Sequence, residues 1–147
     1  MTRTMQATHV LLRIVAGLLF FHHGGQKLFG WFGGTNGNGE TVALASLMGL
    51  AAVLEFFGGL AVLLGLFTRP VAFLLAGEMA VAYFMSHQPR GIWPIQNHGE
   101  SAVLFAFIFL FLAAHGAGGF SLDSALFGHR RRVVSIDDAH RDHSRVA

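Results

Sequence analysis

Residues 10–31 read VLLRIVAGLLFFHHGGQKLFGW, an apolar run that nonetheless carries Arg13, His22, His23 and Lys27. At about 1.5 Å of helical rise per residue, such a run crosses a hydrocarbon core of roughly 30 Å. Water is excluded there, so every backbone N–H and C=O must be satisfied within the segment, and helix is the form that does this. At about 100° per residue, Arg13, Gly17, Gly24 and Lys27 fall on one stripe, His23 sits at its edge, and His22 points almost the opposite way. Lipid satisfies none of these side chains. The stripe is therefore expected to face protein or water, with its glycines admitting a neighbouring helix closely.

The rest of the chain supplies the neighbours. Of 147 residues, 53% are hydrophobic and only 12% charged, with Phe 15 and Gly 19, a composition that belongs to membrane proteins. The cysteine count is 0, which excludes disulfide exchange and thiol relays by its own residues. A net charge of +2, with the arginines concentrated in the last residues, argues against nucleic acid as a partner. The first run resembles a signal peptide only superficially, because no small-residue cleavage site follows it, and it is expected to remain as a span.

Glycine and asparagine crowd residues 30–41, which suits a loop. The next apolar run carries Glu55, with Ala51 and Gly59 on the same helical face. Thr68-Arg69-Pro70 marks a tight connector, after which Glu78 sits near the middle of a third run that is rather short for a perpendicular span. Two prolines and Trp93 in residues 87–98 suit an interfacial loop, and Glu100 opens a fourth, phenylalanine-rich run whose bulk is expected to face lipid.

The expected fold is all-α: an integral membrane four-helix bundle with spans at about residues 10–29, 44–66, 70–86 and 99–115. Residues 1–9 form a short N-terminus, and residues 129–147 a basic, disordered tail. Arg3, Arg69 and Arg130 to Arg132 outweigh Lys27 and Arg90, so both termini are expected to be cytoplasmic.

In this topology His23 and Lys27 lie in the outer half, Glu55 and Glu78 near the midplane, and Asn97, His98 and Glu100 near the outer surface. A carboxylate at mid-membrane must be protonated, paired or open to water, and Lys27, His23 and Arg13 are the partners within reach. One or two polar contacts would suffice to fasten helices. The runs carry Arg13, His22, His23, Lys27, Glu55 and Glu78, which favours an outward-facing polar cavity. Glu55, Glu78 and His23 are the candidate catalytic groups; His23, Gln26, Lys27, Glu55, His98 and Glu100 are the candidates for holding a ligand. No metal site is expected, because adjacent histidines diverge on a helix and no HxxxH or ExxH spacing occurs within a span. The same ligand arithmetic argues against haem.

Three strings carry a family resemblance. Arg13, Gly17, Phe21, His23 and Gly24, followed by Gln26 and Lys27, resemble the first helix of DoxX-type membrane proteins. EFFGGLAVLLGLFTRP, from Glu55 through Thr68 and Arg69, resembles that family's second-helix segment, and FSLDSALFG is similar to its closing SLD element. Together they cover residues 10–128. The resemblance implies a four-helix protein of the bacterial inner membrane. It also implies a relation to quinone-linked redox complexes, among them the DoxD-like subunits of thiosulfate:quinone oxidoreductase, and to membrane-bound oxidative-stress complexes. On that reading the cofactor is a quinone, the surroundings are the lipid bilayer, and a redox partner protein and an oligomer are both compatible. The alternative is a small-solute carrier, or a membrane anchor for a partner enzyme without chemistry of its own.

Overall fold

A computed structural model describes residues 2–127. The tail expected over residues 129–147 lies outside the described residues. The first helix, α1, runs Arg3–Phe29, so helix begins well before the expected span. Thr2 caps it, its hydroxyl oxygen accepting from the Met5 N–H at 3.3 Å. Gly30 ends it in the left-handed conformation (φ 73°) that glycine adopts without steric cost.

The second span, α2, covers Leu47–Leu64 and is capped by Ser46, whose side-chain oxygen accepts from the Gly49 N–H at 3.0 Å. Its central turn, Leu54–Gly58, is π-helical. The third, α3, extends over Thr68–Arg90, because a π turn at Tyr83–His87 and a 3-10 turn at Gln88–Arg90 prolong the regular helix. At 23 residues it is not the short span expected from residues 70–86. After a helical turn at Pro94–Asn97 comes α4, Glu100–His115, with an acid in its first turn and a histidine in its last, as the helix dipole favours.

The helices pack as two tight pairs. Where α1 crosses α2, a Cβ on Gly17 would meet the backbone of Leu63 and Gly59, one on Gly59 would meet Phe21, and one on Gly24 would meet Phe56. These glycines allow backbone contact between spans. The α3–α4 pair closes over Leu75, Phe109 and Leu112, all fully buried. Phe20 of α1 joins the two pairs, its ring edge-on to Phe109 at 4.5 Å and to Phe105 at 4.9 Å. The phenylalanines of α4 thus divide: Phe107 faces outward, while Phe109 forms part of the core.

Four spans place the segments of residues 30–46 and 91–99 at one end, the loop end. The 65–67 connector and the segment after α4 meet the start of α1 at the other, the closed end.

Candidate functional site

Glu55 lies in the π turn of α2, where an extra residue per turn re-aims side chains, and it is buried. Lys27 reaches it from the last turn of α1, Nζ standing 2.6 Å from Oε1, with side-chain exposures of 21% for Lys27 and 5% for Glu55. The cation expected to serve a mid-membrane carboxylate does so. The pairing satisfies one oxygen, and Glu55 Oε2 has no hydrogen-bond partner.

Glu78 approaches the same place from α3. Gly58, three residues after Glu55, lies against Leu75, three residues before Glu78, so the carboxylates sit on faces that meet. Glu78 is within electrostatic range of both Glu55 and Lys27. Both its oxygens are buried and unpartnered. Of the six buried, unpartnered side-chain atoms among the described residues, three belong to these two carboxylates. The other three, His9 Nε2, Arg13 Nε and Thr68 Oγ1, lie at the closed end, so what marks this place is that its unpartnered atoms are all carboxylate oxygens.

His23 stands apart from this cluster. It is exposed, and with Leu19, His22, Gln26 and Phe32 it lines a groove of about 290 Å³ along the outside of α1. His22, expected to point away, shares that groove, and the ring of Phe32 from the following loop stands 5.4 Å from its imidazole. Neighbouring histidines diverge by about 100°, which lets them flank one groove from its two sides. Gln26 uses its amide to hold the loop, donating to the Gly34 carbonyl at 2.9 Å. His98 and Glu100 are both exposed, at the loop before α4 and in its first turn, and neither joins the cluster or the groove. No group of three potential metal ligands occurs among the described residues.

Arg13 does not reach the glutamates either. It is buried at the closed end, where Nη1 donates to the Ala117 carbonyl at 2.6 Å and Nη2 to the Phe120 carbonyl at 2.7 Å. Beside it, the Asp123 carboxylate accepts from the backbone N–H of Phe67 at 2.7 Å and of Thr68 at 3.0 Å, capping α3. The SLD element therefore locks the 65–67 connector. At the loop end the matching residue is Asn97. It donates to the Gly91 carbonyl at 2.7 Å and accepts from the Gly99 N–H at 2.8 Å, so one buried side chain shapes the turn between α3 and α4.

Comparison with known proteins identifies the family. The DoxX family model matches residues 8–88. An uncharacterized protein of Haemophilus influenzae is 41% identical over 120 residues, 79% of this chain and 88% of the relative. Escherichia coli "Inner membrane protein YqjF" is 32% identical over 126 residues, 80% of this chain and 90% of the relative. Bacillus subtilis "Putative oxidoreductase CatD" is 30% identical over 128 residues, 86% of this chain and 92% of the relative. No solved structure matches. The chain belongs to the DoxX family and is a multi-pass protein of the inner membrane.

Proposed function

We propose that this protein is a quinone-interacting membrane subunit of a redox or oxidative-stress complex. The observation that carries the reading is the Lys27–Glu55 ion pair beside Glu78, with three buried carboxylate oxygens left without partners. These oxygens are acceptors buried beside a cation, and proton exchange needs acceptors held ready. Kinship with "Putative oxidoreductase CatD" is in keeping with this.

The residues fit a quinone in two respects. The groove along the outside of α1 presents the imidazoles of His22 and His23, which can donate to a ring oxygen. Glu55 and Glu78 are the groups able to take up or release protons, with Lys27 holding the first in place. A bound quinone supplies paired electron and proton transfer at its ring oxygens. The chain's own part is to bind the headgroup, keep it at the outer half and move protons at the carboxylates. Both termini then face the cytoplasm, with the 30–46 loop outside; a cysteine introduced at Asn36 should react with an impermeant probe from outside, and reaction only after permeabilisation reverses the topology.

The test of the quinone reading is thermal stability in detergent. Added quinone should raise the unfolding temperature of the wild type, since a ligand that binds the folded state stabilises it by mass action. Lys27→Met should fold but gain less. If no quinone tried stabilises the wild type, the accessory or carrier reading takes its place.

A further inference from the structure

We infer that Lys27, Glu55 and Glu78 form a one-proton site within the membrane: one ammonium and two carboxylates that are neutral together when the carboxylates share a single proton. The site draws on three helices, Lys27 from α1, Glu55 from α2 and Glu78 from α3. From α4 no charged side chain joins it, since Glu100 and His115 lie exposed at that helix's opposite ends. His23 is exposed on the α1 groove, and Arg13 is engaged at the closed end.

Charge counting then decides the occupancy. Lys27 neutralises Glu55 at 2.6 Å, which leaves Glu78 as an uncompensated carboxylate in a low-dielectric interior. A proton removes that charge. It also turns an acceptor into an O–H donor, which an orphan carboxylate oxygen can accept, so one proton relieves more than one unpartnered atom. Glu55, with its side chain only 5% exposed and Oε2 unpartnered, is such an acceptor. Lys27, partly exposed in the last turn of α1, connects the site to water at the loop end, from which the proton comes and to which it returns. An O–H bond forms or breaks, and no electrons move. The site needs no quinone, so it and the quinone reading can fail separately.

Infrared spectroscopy of the full chain tests it through the C=O stretch of protonated carboxyls. The wild type at neutral pH should show one such band, lost on going to alkaline buffer. Glu78→Gln should abolish the band while keeping the Lys27–Glu55 pair and the fold. Glu55→Gln should also abolish it, because Lys27 then compensates Glu78. Lys27→Met should add a second band. Absence of the band in wild type at neutral pH, or its persistence in either glutamine variant, overturns the site. Exchanging sodium for choline should leave the band unchanged; its loss in sodium overturns the proton assignment in favour of a metal cation. A wild type that shows the band but gains no stability from quinone retains the site and loses the quinone reading.

Discussion

Two places in this bundle bury charge, and they treat it differently. At the closed end Arg13 and Asp123 direct their hydrogen bonds to backbone groups of the connectors, so that charge there holds chain segments in register. In the interior, Lys27 pairs with Glu55, and Glu55 and Glu78 leave three carboxylate oxygens unmatched. Each place leaves three buried side-chain atoms unpartnered, His9 Nε2, Arg13 Nε and Thr68 Oγ1 at the closed end; the interior three differ in being carboxylate oxygens, acceptors that a proton can convert to donors. The comparison separates charge bonded to backbone from charge paired with charge within one membrane domain, where composition alone treats all such residues alike.

That contrast makes its largest demand at Arg13. Arg13→Met should lower stability in detergent by about 3 kcal/mol, because it orphans the buried Ala117 carbonyl, releases the part-buried Phe120 carbonyl and removes the counter-charge near Asp123. A denaturation midpoint equal to wild type would dissolve the distinction. Glu55→Leu should destabilise less, since Lys27 is partly exposed and can turn to water or Glu78, yet it should harm complementation more than His22→Leu. Expression-matched strains carrying each variant would read this; equal tolerance would return Glu55 to packing. Asp123→Ala should cost about 1 kcal/mol, the usual value of a lost helix cap, seen as a lower unfolding temperature with quinone response retained. The smallest effect is expected for Glu78→Gln, an isosteric change from a protonated, neutral carboxyl to a neutral amide that still offers a donor. Its unfolding temperature should match or exceed that of wild type, and a clear loss would mean that Glu78 has a bonding role in the fold.

Periodicity found the helices because the membrane permits few other forms, and the hydrophobic runs that must hide their backbone are visible as runs. The bounds were less legible. The last turns of α3 form through π and 3-10 hydrogen bonding, which no apolar period announces, so the span continues to Arg90 through polar residues. The first helix starts at Arg3 because Thr2 caps it, a local hydrogen bond and not a change in hydropathy.

For the site, the sequence by itself determined which charges lie within apolar segments and at what depth, since rise per residue converts position into height. It therefore placed Lys27 and Glu55 within reach of one another. Only the tertiary structure decided azimuth. Whether Arg13 meets a glutamate or the 117–120 carbonyls depends on which helix lies against its stripe and on where the chain after α4 folds back. The α1 groove likewise exists only because Phe32 returns beside His22, uniting two histidines that helical geometry alone sends apart. Depth is a property of one helix, whereas partnership is a property of the packing between helices, fixed here by glycines that bring the backbones of α1 and α2 together.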